Sequence, residues 1–244
     1  MSNTPSNLET NVEPISILKW DSFQKTFFGN PSVVMVWGDI GTGKTSLALQ
    51  LARISMLENK RVLYLYSKKD FCADLFSRLL NSIDFNKQEN LIIQTPENFN
   101  RQNEMISNLL LQTQQMKELM GPYRIGLIVV DEISSLYLIE MGSEKKNEVL
   151  NQRFTFQLAT LSQICQIHQI PILLLNSFTS KKDESDELQD IPYGGKIVDY
   201  WVQTEIKIER TSQYSRRLFH CEKNSQNISI PNKWSWLLSE NGFY

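Results

Sequence analysis

Gly38-Asp39-Ile40-Gly41-Thr42-Gly43-Lys44-Thr45-Ser46 decides the fold of this 244-residue chain. It satisfies G-x-x-x-x-G-K-[ST] at every defined position. The apolar run Val33-Val34-Met35-Val36-Trp37 enters it as a buried strand, and a helical pattern leaves it, with Leu47, Leu51 and Ile54 at spacings near four. Strand, glycine-rich turn and helix together make the loop that cradles phosphates in nucleotide-binding proteins. The residue types follow from that chemistry. Glycines let backbone N–H groups converge on phosphate oxygens, and the new helix turns its positive dipole end toward them. Lys44 is expected to reach the outer phosphates of ATP, and the Thr45 hydroxyl to ligate Mg²⁺. Every residue from Gly38 to Ser46 is a candidate nucleotide contact.

Composition narrows the remaining classes. Hydrophobic residues make up 41% and charged residues 21%, as in an ordinary soluble globular protein. The length suits one large α/β domain, expected over residues 15–244 behind a flexible start at 1–14. A net charge of −2 gives no bulk support for nucleic-acid binding, although a local basic patch stays open. Cys72, Cys165 and Cys221 are far apart and form no C-x-x-C. With His168 and His220 they suggest no zinc cluster, and they read as buried thiols in a reducing compartment. The first dozen residues lack the basic start and apolar core of a signal peptide, and no apolar run is long enough to span a bilayer. A cytoplasmic protein is expected.

Ahead of the first strand, Ile15, Leu18, Trp20, Phe23, Phe27 and Phe28 form an apolar cluster with loose helical spacing. It reads as packing on the sheet edge, or else as a contact with a neighbouring subunit. After the loop, the pattern predicts strands over 61–66, 91–93, 125–131 and 171–176. It predicts helices over 71–80, 103–120 (stopped by Gly121-Pro122) and 147–168. Leu150, Phe154, Leu158, Leu161, Cys165 and His168 give the last helix one buried stripe. Alternating β and α demands a mostly parallel sheet with helices on both faces. From Val202 the pattern changes to strict alternation, and with Leu218-Phe219 it predicts a C-terminal antiparallel hairpin extending the sheet.

Asp131, at the tip of the most apolar strand, is the expected carboxylate partner of the Mg²⁺–phosphate complex. Hydrolysis needs more: a group to activate water and a group to sense the γ-phosphate. Glu132, next to Asp131, is one candidate base. A carboxylate at the end of the 61–66 strand would be another.

Several strings make the likeness specific. They are Leu127-Ile128-Val129-Val130-Asp131-Glu132-Ile133-Ser134-Ser135-Leu136-Tyr137, Gln157-Leu158-Ala159-Thr160-Leu161, Ile170-Pro171-Ile172-Leu173-Leu174-Leu175-Asn176, and Ile191-Pro192-Tyr193-Gly194-Gly195-Lys196-Ile197-Val198-Asp199-Tyr200-Trp201. With the phosphate loop, they resemble the RecA-like recombinases over nearly the whole chain from about Ile15, and within them the short archaeal RadB branch. The resemblance implies a RecA-like P-loop NTPase core, ATP and Mg²⁺ as cofactors, a RadA-like recombinase as partner, and a role in DNA repair and recombination. It also allows oligomers.

Departures from the pattern are as informative. Where the family ends the strand after the loop helix in an Asp-Thr-Glu string with a water-activating Glu, this chain has Tyr66-Ser67-Lys68. Where it has Asn-Gln, whose Gln senses the γ-phosphate, this chain has Asn176-Ser177. Lys68 reads either as a solvated loop lysine or as a partner for phosphate. Glu132 could replace the missing base. The family's second DNA-binding loop falls between Asn176 and Gly194. Here Lys181 and Lys182 are followed by Asp183, Glu184, Asp186, Glu187 and Asp190, so a solvated or protein-docking loop is favoured. Arg216, Arg217 and Lys223 form a better candidate patch for weak DNA contact. The expected function is a RadB-like accessory protein that binds ATP–Mg²⁺ with weak or absent hydrolysis. The rivals are a working DNA-dependent ATPase that forms filaments, and a KaiC-like signalling ATPase.

Overall fold

In the computed structural model, residues 18–81, 83–119, 125–182, 186, 188–227 and 230–244 are described. Ile15, the flexible start, the Gly121-Pro122 stop, and Asp183, Glu184 and Glu187 lie outside them. The elements run α1 (Trp20–Gly29), β1 (Val33–Gly38), α2 (Lys44–Leu57), β2 (Arg61–Tyr66), α3 (Ala73–Leu80), α4 (Phe85–Gln88), β3 (Leu91–Gln94), α5 (Phe99–Leu119) and β4 (Ile125–Asp131). They continue with α6 (Ser135–Glu140), α7 (Glu144–His168), β5 (Ile172–Asn176), β6 (Phe178–Lys182), β7 (Leu188–Pro192) and α8 (Gly195–Trp201). The chain closes with β8 (Thr204–Arg210), β9 (Arg216–Asn224), β10 (Lys233–Ser239) and β11 (Gly242–Phe243).

The main sheet has strand order β11-β10-β9-β8-β1-β5-β4-β2-β3. Strands from β8 to β3 pair in parallel, and β9, β10 and β11 add an antiparallel extension. This is the expected mostly parallel α/β sheet with a C-terminal antiparallel end. β1, β4 and β5 are buried at every position, because helices cover both faces of a parallel sheet. One face carries Val34, Val36, Leu47, Leu51, Tyr64 and Leu173 among its core, and the other Met35, Leu63, Leu65, Val130, Phe154 and Leu158. Odd and even positions of β1 therefore feed opposite cores, as the period-two pleat requires.

Three readings change. The helices begin elsewhere than expected, α5 at Phe99 and α7 at Glu144, because a lone Phe99 before the polar run 100–104, and the polar first turn of α7, mark no apolar stripe. The 177–190 segment is not a plain loop: β6 and β7 form a separate two-stranded antiparallel ribbon. The cysteines are free, but Cys72 is exposed and Cys221 half-buried, leaving Cys165 alone as a buried thiol.

The aromatic start packs on its own chain. Phe23 and Phe27 of α1 are buried, and Phe23 contacts Trp234 and Trp236 with ring centroids 6.2 and 5.2 Å apart. The Trp236 indole N–H donates to the Leu18 carbonyl at 2.7 Å. Sheet-edge packing is thus the observed role of its described part. Among the described residues, no helix is long and apolar enough to cross a membrane.

Candidate functional site

Parallel strands point their carboxyl ends the same way, and ligands in such folds bind at that edge. Five of them deliver chemistry here. β1 ends in the phosphate loop, β2 leads to Ser67-Lys68, β4 to Asp131-Glu132, β5 to Asn176-Ser177, and β8 to Arg210. The registers Tyr66↔Asp131, Asp131↔Leu175 and Gly38↔Ile208 bring these ends alongside one another.

The loop has the expected construction. Gly43 caps α2 at φ +102°, and a Cβ there would sit 2.7 Å from the Phe243 ring, so only glycine fits between the turn and β11. Thr42 Oγ1 donates to the Asp39 carbonyl at 2.9 Å, and Asp39 Oδ1 accepts from the Ile40 amide at 2.7 Å. Lys44 folds back over the turn, donating to the carbonyls of Gly38 at 2.7 Å and Asp39 at 3.1 Å. Burial pulls its ammonium below the ordinary lysine range, and Glu132, 3.7 Å away, partly offsets that. A desolvated cation beside a ring of backbone amides is the electrostatic requirement for holding phosphate. Ser46 is half-buried in the first turn of α2. Gln50 ties this helix to the chain end, bonding the Phe243 N–H and carbonyl at 2.8 Å each.

Asp131 is fully buried. Its Oδ2 accepts from Thr45 Oγ1 and from the Tyr64 hydroxyl, both at 2.9 Å. Burial, and then the Asp131 charge, push the Tyr64 phenol well above its usual range, so it stays a donor. Lys68 Nζ lies 2.6 Å from Asp131 Oδ1 and donates to Thr45 Oγ1 at 2.9 Å. Neither sequence reading of Lys68 anticipated this. It is not free in solvent, and its partners are protein groups.

Glu132 and Ser177 are brought together: Ser177 Oγ donates to Glu132 Oε1 at 2.7 Å. The Asp131–Glu132 peptide is cis. Asn176, fully buried, accepts from Ser134 Oγ at 2.5 Å and donates to the Tyr193 carbonyl at 2.9 Å. It thereby locks β5 to the Gly194-Gly195 turn. Gly194 has φ +88°, and a Cβ there would meet Val198 at 2.5 Å and Phe154 at 2.8 Å. Close packing of α8 on α7 explains the glycine at 194, whereas a Cβ on Gly195 would meet no neighbour and that residue is set apart by its φ of +46°.

The three cations proposed for DNA do not form one patch. Arg216 and Arg217 open β9 and Lys223 lies near its far end, about 20 Å away at the usual strand rise. Arg217 is buried and donates to the Tyr214 carbonyl at 2.6 Å, while Arg216 is held by Gln213 and Ser235. Lys223 is paired with Asp199 at 2.9 Å. On the ribbon, Lys181 and Lys182 are exposed, and Lys182 pairs with Asp186 at 2.6 Å.

Arg210 and Tyr64 are the residues sequence reasoning missed. Arg210, at the end of β8, donates from Nη2 to the Ile40 carbonyl and so lies across the phosphate loop. Its signal was positional: an arginine closing a strand that, as structure reveals, runs beside β1. Tyr64 had none beyond its place in an apolar run.

A nucleotide suits this edge: glycine-built turn, desolvated lysine and overlying arginine are all in place. The divalent ion suits it less well, because both of its expected donors, Thr45 and Asp131, are already engaged by the Lys68 ammonium.

Fold and loop together define a RecA-type phosphate-loop core. The Rad51 family model matches residues 18–231, and the chain belongs to that family. Among curated proteins it is similar to the DNA repair and recombination protein RadB of Methanobrevibacter smithii, at 25% identity over 77% of this chain and 76% of the relative. RadB of Methanococcus maripaludis strain C5 is 26% identical, over 74% and 77% respectively. RadB of Methanococcoides burtonii is 24% identical over 89% of both chains. The RadB-like character expected from the sequence is borne out.

Proposed function

We propose that this chain is a RadB-like accessory protein of DNA repair and homologous recombination. It holds ATP, hydrolyses it slowly or not at all, and acts on a RadA-like recombinase through protein contacts. The names of its relatives support the process. One observation supports weak hydrolysis: the glycine-rich loop is complete, while Lys68, standing where the family resemblance puts the water-activating Glu, is paired with Asp131. Serine replaces the γ-phosphate sensor and is itself bound to Glu132.

In this reading Gly38 to Ser46 bind the triphosphate, and Lys44 leaves its loop carbonyls for the outer phosphates. A divalent ion would supply charge neutralisation, but Thr45 and Asp131 could hold it only if the Lys68 ammonium left them. Glu132, 3.7 Å from Lys44, is the candidate carboxylate to accept a proton from water. That position is the observation favouring the second reading, an active DNA-dependent ATPase.

DNA contact is modest and salt-sensitive, because the candidate cations are scattered or paired. Turnover with and without single-stranded DNA tests the assignment. Losing one charge-positioning group from such a site costs roughly 10²–10³ in rate. With two replaced, turnover is expected well below the ordinary range of about 1–10³ s⁻¹, and DNA is expected to change it little. Stimulation to about 1 s⁻¹, lost in Glu132→Gln, would establish the second reading instead.

A further inference from the structure

Lys68 stands where a divalent ion would be looked for. Its ammonium contacts both the Thr45 hydroxyl, at 2.9 Å, and the Asp131 carboxylate, at 2.6 Å. It also lies over the Tyr66 ring, 5.6 Å from the centroid. Those two oxygens are the metal-side groups of a phosphate-loop site. Asp131 is fully buried, and a buried carboxylate needs a compensating charge within reach. This chain supplies that charge from the side chain of Lys68, two residues past the end of β2.

A threonine hydroxyl has one proton and two lone pairs. Thr45 gives its proton to Asp131 Oδ2 and accepts from Lys68 Nζ. Asp131 has both oxygens engaged, Oδ2 by Thr45 and Tyr64, and Oδ1 by Lys68. A Mg²⁺ ion requires oxygens at about 2.0–2.1 Å in octahedral array. It would have to compete with a tethered cation for the same oxygens, and like charge opposes both being present.

We propose that the Lys68 ammonium is the resident cation of this site, standing in for the divalent ion, so that ATP binds with little dependence on Mg²⁺. The inference rests on the ATP reading given above. Of the three N–H donors of an ammonium, Thr45 takes one in a hydrogen bond and Asp131 is met as an ion pair, so at least one is left for a phosphate oxygen. Lys44 and Arg210 flank the same loop, so the chain itself carries the positive charge a triphosphate needs. A single tethered charge also polarises the terminal phosphate less than a divalent ion would, which agrees with slow hydrolysis.

The test is calorimetric titration of the full chain with ATPγS, once in EDTA and once in Mg²⁺. Wild-type affinity is expected to differ by less than about 3-fold between the two, and Lys68→Met is expected to bind about 10-fold or more weakly in EDTA and to recover in Mg²⁺. If wild type binds only in Mg²⁺, or Lys68→Met is unaffected by EDTA, the inference is overturned and the ATP site stands. Binding in neither condition removes the ATP site and the inference with it. Lys68→Met leaves the Asp131 charge buried without its partner, so its unfolding midpoint is recorded alongside. Should it not fold, Lys68→Met combined with Asp131→Asn carries the same test. That pair is expected to bind weakly in EDTA, and wild-type affinity there would contradict the proposal.

Discussion

Replacing Lys44 with alanine is expected to weaken ATP binding by about 10²-fold or more while the chain stays folded. Truncating one partner of a desolvated, hydrogen-bonded charge pair costs about 2–5 kcal/mol, and each 1.4 kcal/mol is tenfold in affinity. The fold should tolerate the change because Lys44 stabilises little on its own. Burial disfavours its charged form, and its partners are two carbonyls of the turn itself and Glu132 at 3.7 Å. Removing a desolvated cation that awaits an anion relieves the free protein as much as it harms it. Calorimetric titration reads the affinity, and urea unfolding reads the fold. Unchanged affinity would show that the loop is not an ATP site.

The largest stability loss is expected at Trp234. It is fully buried, stacked on Phe219 at 5.3 Å with planes 15° apart, and in edge contact with Trp236 at 5.8 Å. Burying a tryptophan removes a large apolar area from water, and truncation leaves a cavity that surrounding rings cannot fill. Trp234→Ala is expected to cost about 3–5 kcal/mol in urea unfolding. The loss should reach the nucleotide edge as well. Phe219 also packs on Phe243 at 5.3 Å, and Phe243 is the ring that closes over Gly43. Trp234→Phe is expected to cost distinctly less. The indole N–H has no hydrogen-bond partner among the described residues, so phenylalanine removes an unsatisfied donor along with some packing. Equal losses for the two variants would contradict the packing assignment.

How much of this was legible depended on range along the chain. The phosphate loop is written in consecutive residues, so it could be read directly. Asp131 was readable because β4 is apolar at every preceding position but Gly126, a signature of a parallel strand buried on both faces. The β6–β7 ribbon was not, since Lys181, Lys182 and Asp190 break any apolar alternation and only Phe178, at its base, is packed on the core. β10 was missed although Trp234, Trp236 and Leu238 share one face, because Leu237, between the last two, blurs the alternation. The scatter of the DNA candidates was illegible for a different reason. Sequence proximity of Arg216 and Arg217 says nothing of burial, and adjacent strand residues face opposite sides. Lys68 could be seen to occupy the wrong place for a base, yet its binding to Asp131 required knowing that β2 and β4 are neighbours in register. Arg210 likewise needed the parallel pairing of β8 with β1.

That the chain holds ATP without readily splitting it is tested most directly by following the bound nucleotide itself. Purified chain is incubated with radiolabelled ATP and single-stranded DNA, free nucleotide is removed on a desalting column, and the retained nucleotide is resolved by thin-layer chromatography over time. The expected result is retained nucleotide that stays ATP for many minutes, with or without DNA. Rapid conversion to ADP, or no retention even at saturating ATP, would contradict it.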